Sequence, residues 1–341
     1  MFTTRKLAAV LGTAVLCFGL SGQAQAVESY SCSYIAGSST YFIENNSGGA
    51  ADNASVYDND RCSYGANATS AVATSSAILA AASSQAANLV SNRISNALTG
   101  SGGMHMAANG FNASTGMSGG NMGNKLGAWV SGSWSDVSDD NTATKFDGNV
   151  YNAMVGVDYR VAPKVVIGLA AGYEDSDIDT VYNESVVTGA DGNISADGYT
   201  VAPYIGVQLN DHASADLTIG YSNLDYDTTR YDPLNGDRLT GSTDADRYFI
   251  NANVNGNHVF ANHWNLNGRL GVFYASEDKD SYVEHTSGDT TFNSAVSQNG
   301  GTTELGQFSA DARLGYLFDM IEPYALAGLD FDFTKDEGTL G

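Results

Sequence analysis

Positive charge is scarce in this chain: 15 Lys and Arg stand against 38 Asp and Glu in 341 residues, a net charge of −23. So acidic a surface repels nucleic acid, and no stripe of Lys or Arg along the sequence offsets it. Long apolar runs are missing as well. The longest, from Leu7 to Leu20, falls short of the ~20 residues that a spanning helix needs. Neither a P-loop nor an HExxH zinc motif occurs, and no Ser-His-Asp set is identifiable, so the chain is not read as an enzyme and no cofactor is assigned. The five histidines are scattered. His258 and His263 flank one short turn, where solvated turn residues are a plainer reading than a metal pair. Asp175, Asp177 and Asp179 alternate, but Thr180 and Val186 stand where a calcium loop beginning there needs Gly and Glu. They read as a hydrated extension of a strand.

The N-terminus reads as a secretory signal over residues 1–26. Arg5 and Lys6 precede the apolar run, and Ala24-Gln25-Ala26 supplies a small-x-small cleavage pattern. Removing it takes Cys17 away and leaves Cys32 and Cys62. An even pair in an exported chain predicts a disulfide between them. Charged residues are only 16% of the whole while aromatics reach 10%, which argues for packed structure over acidic disorder.

From residue 125 onward the chain alternates apolar and polar positions. Tyr151, Ala153, Val155, Val157 and Tyr159 share one face of a segment whose other face carries Asn152, Met154, Gly156, Asp158 and Arg160. The same pattern recurs over 165–174, 201–209, 215–221, 248–255, 264–274 and 308–318. Repeated period two means strands. These are about twice the 5–6 residues usual in a soluble sandwich and match the ~10-residue segments of outer-membrane barrels. Aromatics fall at segment ends, as Tyr151 and Tyr159 or Trp264 and Tyr274. Eight residues at ~3.3 Å, tilted ~40°, rise roughly 20 Å, the scale of an apolar band between two aromatic girdles. On the polar faces, Asp158, Arg160, Glu174, Arg247, Arg269, Asp311 and Arg313 would project into the lumen, where ion pairs fill space or contact a plug.

Short connections at 161–164, 210–213, 258–262 and 319–322 alternate with long ones at 135–147, 176–194, 227–241 and 277–300. This is the alternation of periplasmic turns and extracellular loops. With a first strand at 125–134 and a last at 323–333, nine strands are expected. A closed barrel of this class has an even number, so an odd number of further strands is expected beyond residue 341. Upstream, residues 71–99 are Ala-rich with no Gly or Pro and apolar positions near a 3.6 period, which predicts a helix about 40 Å long. Its small residues suit a narrow lumen; an amphipathic helix in the periplasm fits as well. Residues 100–124 read as a Gly-, Asn- and Met-rich flexible linker, and 27–70 as a short exported segment with little apolar content.

The order of these parts resembles the autotransporter (type V secretion) family over roughly residues 71–341. The resemblance is carried by the Ala-rich helix ending NLVSNRISNAL, a barrel opening on AWVSGSW, GVDYRVAPKVVIGLAAGYEDSD for the second and third strands, and PYALAGLDFDF as a later Pro-led strand. It implies an all-β fold: an antiparallel transmembrane β-barrel of twelve strands, nine of them present, preceded by the helix and a short exported segment. It also implies a translocator in the outer membrane of a Gram-negative bacterium, with surface-exposed loops, carrying its own N-terminal segment to the cell surface. The implied partners are outer-membrane lipid and lipopolysaccharide, periplasmic chaperones and the barrel assembly machinery, which reads a terminal aromatic residue; the implied state is a monomer. The chain departs from the family in ending Leu340-Gly341, in the length of residues 100–124, and in having too few residues at 27–70 for the usual β-helical passenger. The alternative is a surface-exposed barrel serving adhesion or forming a small pore, with no translocation.

Overall fold

The computed structural model describes residues 30–34, 41–45, 67–99, 103–107, 110–114, 125–139, 146–180, 192–231, 238–261, 263–287, 295–316, 318 and 323–336. A small hairpin, β1 (Tyr30–Tyr34) and β2 (Tyr41–Asn45), comes first. Helix α1 (Asn67–Thr99) follows. Nine long antiparallel strands make the main sheet: β5 (Leu126–Asp139), β6 (Phe146–Ala162), β7 (Val165–Thr180), β8 (Gly192–Asn210), β9 (Ala213–Tyr231), β10 (Arg238–Val259), β11 (Trp264–Lys279), β14 (Gly301–Tyr316) and β15 (Tyr324–Asp336). Consecutive members pair edge to edge in that order, and the sheet is not closed. No helix among the described residues is long and apolar enough to cross a membrane, which says nothing of strands.

Among the described residues the long strands are the expected nine, but they are longer than the alternation in the sequence suggested, running from 13 to 22 residues. They extend into the stretches expected to be long loops. On β7, apolar residues occupy the exposed parity up to Tyr173, and Asp175, Asp177 and Asp179 continue on that same parity. The opposite parity passes from Gly168, Ala170 and Gly172 to the buried Ile178. β8, β9 and β10 invert in the same way. Ile194, Ala196, Leu224, Tyr226 and Ala245 are buried, while Asp197, Asp225, Asp227 and Asp244 are exposed. The period of two never stops; only the face that is apolar changes, so reading strands by their apolar face ends them too early.

Two expected loops carry structure of their own. The predicted linker 100–124 contains a hairpin, β3 (Gly103–Ala107) and β4 (Gly110–Ser114), and β4 pairs with β5 from Gly110↔Ser133 to Ser114↔Trp129. A five-residue strand shows too few alternations to stand out from a Gly-rich background. The connection 277–300 holds β12 (Tyr282–Ser287) and β13 (Ala295–Gln298), with β12 pairing against β10. The expected signal peptide lies outside the described residues. So does Cys62; Cys32 stands on β1 opposite Ile43.

Helix α1 is seated on the inner face of the curved sheet, against β5 to β11 and β14. Its Leu79, Ala86, Val90, Ile94 and Ala97 share a core with Trp129, Met154, Val166, Ala170, Ala202, Tyr204 and Phe249. Glycine opens one close approach: a Cβ on Gly206 would collide with Ile94 Cγ2. A second cluster gathers Ile78 with Phe146, Ile178, Ile194, Leu224 and Tyr226. The helix therefore packs inside the curve of the sheet and not apart from it.

Candidate functional site

Polar side chains fix the helix at three levels. At the short-turn end, Arg93 of α1 is wholly buried, and its guanidinium donates through Nε and Nη2 to both carboxylate oxygens of Asp158 on β6, at 2.5 and 2.9 Å. Two parallel bonds of this kind set position as well as strength. Tyr204 donates to Asp158 (3.3 Å) and accepts from Trp129 Nε1 (2.9 Å). Gly127 lies so near the pair that a Cβ there would collide with Arg93 Nη2. The helix has no basic residue in its own last turn; Arg160 from β6 donates to the carbonyl of Ala97 instead, satisfying an end the helix leaves open.

In the middle, Gln85 donates to Ser135 Oγ and the Val150 carbonyl and accepts from Ser133 Oγ and Asn152 Nδ2. At the same level, Arg269 of β11 donates to Asn88 and Asn92, and Asn253 donates to Ser91 and to Asp216. At the long-connection end, the buried Arg247 of β10 stands between Glu174 of β7 (2.7 Å) and Glu277 of β11 (2.8 Å). Tyr226 donates to Glu277 at 2.8 Å, and the Lys279 ammonium lies 3.9 Å from the Tyr226 ring centre and 3.0 Å from Ser75 of the helix. Asp158, Arg160, Glu174, Arg247 and Arg269 are thus all on the helix side. Asp311 and Arg313 share that parity on β14, Asp311 directly opposite Arg269, but near the open edge Asp311 is exposed and Arg313 lies 4.3 Å from the Tyr324 ring centre. Sequence reading missed Arg93 as the partner of Asp158, and Lys279 and Glu277 fell in an expected loop.

These contacts also fix the direction of the helix. Ser75, near its N-terminus, meets Lys279 at the long-connection end of β11. Ala97, near its C-terminus, meets Arg160 next to the two-residue turn between β6 and β7.

The outer face carries one aromatic on each of seven consecutive strands: Trp134, Tyr151, Tyr173, Tyr199, Tyr221, Tyr248 and Tyr274 on β5 to β11. Trp134 pairs with Tyr151, Tyr173 with Tyr199 and Tyr221 with Tyr248. Three of them donate to a neighbouring carboxylate: Tyr173 to Asp197, Tyr221 to Asp246 and Tyr274 to Glu304. Tyr159, Phe260, Trp264 and Tyr316 gather toward the other end, with Trp264 and Tyr316 5.1 Å apart. Between the rows lie Val155, Val157, Ile167, Leu169, Val201, Ile205, Ile219, Ile250 and Val272, all exposed. A continuous apolar band of this size on a folded wall calls for an apolar solvent. Beyond the upper row, Asp175, Asp197, Asp225 and Asp244 stand opposite one another on four adjacent strands. There Asp225 shares a hydrogen bond with Asp244, and with the like charges of Asp244, Asp197 and Asp227 its carboxyl is held above the usual range.

Among known proteins, the family profile of the autotransporter beta-domain matches residues 128–340. No curated protein matches. Among solved structures, the chain is similar to the translocator domain of autotransporter NalP from Neisseria meningitidis, at 14% identity and a TM-score of 0.50, covering 77% of this chain and 83% of that one. The toluene transporter TodX from Pseudomonas putida aligns at 10% identity over 61% of this chain and 77% of its own, with a TM-score of 0.29. The first likeness supports the barrel fold, and the profile spans most of the chain. This chain belongs to the autotransporter beta-domain family, the outer-membrane translocators of Gram-negative bacteria.

Proposed function

We propose that the protein is a translocator that carries its own N-terminal segment to the cell surface and keeps α1 behind as a plug. The observation that carries this reading is the direction of the helix. Its N-terminus is at the end of the long connections and its C-terminus at the end of the short turns. In outer-membrane barrels long loops face outward and short turns the periplasm. Whatever precedes residue 67 then emerges outside, and the chain returns to the wall from the periplasmic side, first with the β3–β4 hairpin and then with β5. No nucleotide site enters this account; folding and assembly supply the drive.

The band between the aromatic rows is the lipid zone in this reading, with Tyr151, Tyr173, Tyr199 and Tyr248 at the outer interface and Tyr159 and Trp264 at the inner one. The acidic extension above it meets lipopolysaccharide. Periplasmic chaperones and the barrel assembly machinery act before that, on a wall whose apolar face water does not tolerate. An epitope placed before Cys32 tests the proposal. Antibody binding on intact cells supports it; binding only after the outer membrane is permeabilised overturns it and leaves a barrel whose N-terminal segment stays periplasmic.

A further inference from the structure

The sequence pairs His258 with His263 across one turn, but the structure pairs His258 with another residue. His263 adopts a left-handed backbone (φ 70°) that aims its ring at Tyr316, 6.1 Å away. His258, near the end of β10, instead meets His212, on the two-residue turn between β8 and β9. Their ring centres are 5.3 Å apart with the planes inclined by 59°. Both rings are exposed, and Phe260 packs edge-on against His258 at 4.6 Å.

We propose that His212 and His258 form a two-imidazole site for a divalent transition-metal ion of the copper(II), nickel(II) or zinc(II) class. Three observations carry it. First, the spacing admits one metal: with a nitrogen of each ring turned toward an ion ~2.0–2.1 Å away, about 3.2 Å from each ring centre, rings 5.3 Å apart subtend about 110°, near the tetrahedral angle. Second, the tautomer is set. His212 Nδ1 lies 3.2 Å from the carbonyl of Asn257, so Nδ1 carries the proton and Nε2 presents its lone pair. That is the backbone-carbonyl support which orients a ligating histidine. Third, the backbones are held together, since Asn257 N donates to the carbonyl of His212 at 2.8 Å next to the last paired rungs of β9 and β10. The two imidazoles therefore come from segments fixed relative to each other. Among the described residues no cluster of three or more His, Cys, Asp and Glu is placed to hold a metal, so water completes the shell and the site is open to a further ligand. Imidazole pairs of this kind bind copper(II) more tightly than zinc(II).

The test uses the full chain folded in detergent micelles and copper(II) chloride alone. Electron paramagnetic resonance of one equivalent of bound copper should show coupling to two imidazole nitrogens. His212→Gln and His258→Gln should each remove one nitrogen and weaken binding at least about tenfold, the lower bound for losing even an outer-shell partner. His263→Gln and His285→Gln should change neither. Equal affinity in the wild type and the His212→Gln/His258→Gln double variant overturns the proposal, as does a spectrum without imidazole coupling. The outcome does not depend on whether the N-terminal segment is exported.

Discussion

Asp158→Ala isolates what holds the helix in the barrel. It removes the carboxylate that accepts two hydrogen bonds from Arg93, a residue with no exposed surface. Removing one partner of a buried pair costs about 3–5 kcal/mol because the surviving ion is left uncompensated. At about 1.4 kcal/mol per tenfold, the population with the helix unseated should rise by roughly two to three and a half decades. Trypsin reads this directly, since Arg93 is the only Lys or Arg in α1. When unseating is fast relative to cleavage, the rate of cutting after Arg93 follows the open population. The folded wall is monitored in parallel by its resistance to unfolding in detergent at room temperature. Asp158→Asn, which keeps the volume and one acceptor, should fall between wild type and alanine. Cleavage after Arg93 at the wild-type rate in Asp158→Ala, with the wall intact, would refute the claim that this pair seats the helix.

Four further outcomes follow from the same structure. Gly206→Ala should loosen the helix by about 1–3 kcal/mol through overpacking against Ile94, seen as faster cutting at Arg93 with little change in the wall. Arg247→Met leaves Glu174 and Glu277 buried without their cation and should lower thermal stability by about 3–5 kcal/mol; the Glu174→Gln/Arg247→Met/Glu277→Gln triple variant should recover much of it, as calorimetry can measure. Asp225 keeps its proton in the folded wall to a higher pH than in the unfolded chain; its contribution to stability is therefore present at low pH and is lost as pH rises through the folded value. Asp225→Asn should flatten that part of the melting-temperature profile and raise the melting temperature at pH 7. Finally, brominated lipid should quench a variant retaining only Trp134, which is 43% exposed, and spare one retaining only Trp129, which is 5% exposed; equal quenching would misplace the apolar face.

The wall was legible because lipid demands one apolar parity over many consecutive strands, and residues such as Val155, Val157, Ile167 and Leu169 keep it without exception. The helix was legible from Ala content and the absence of Gly and Pro between 71 and 99. What lay beyond reach was tertiary. Arg93 and Asp158 are 65 positions apart, and nothing local says which level of the wall faces which turn of the helix. Arg247 shows the same limit, since its partner Glu174 lies three strands away in the sheet. The upper strand ends were a different failure. Ile178, Ile194 and Leu224 were in plain view, but they fall on the parity that is polar lower down, because above the aromatic row the outside is wet and the inside is packed on Ile78.

The most direct measurement of the central claim is labelling of intact cells with a membrane-impermeant maleimide, in single-cysteine variants on a Cys32→Ser/Cys62→Ser background. Asn67→Cys marks the start of the helix, Asp227→Cys the acidic extension and Asp211→Cys a short turn. The account predicts labelling of the first two on intact cells, and of Asp211→Cys only after the outer membrane is permeabilised. Protection of Asn67→Cys alongside Asp211→Cys, with Asp227→Cys labelled, would contradict it.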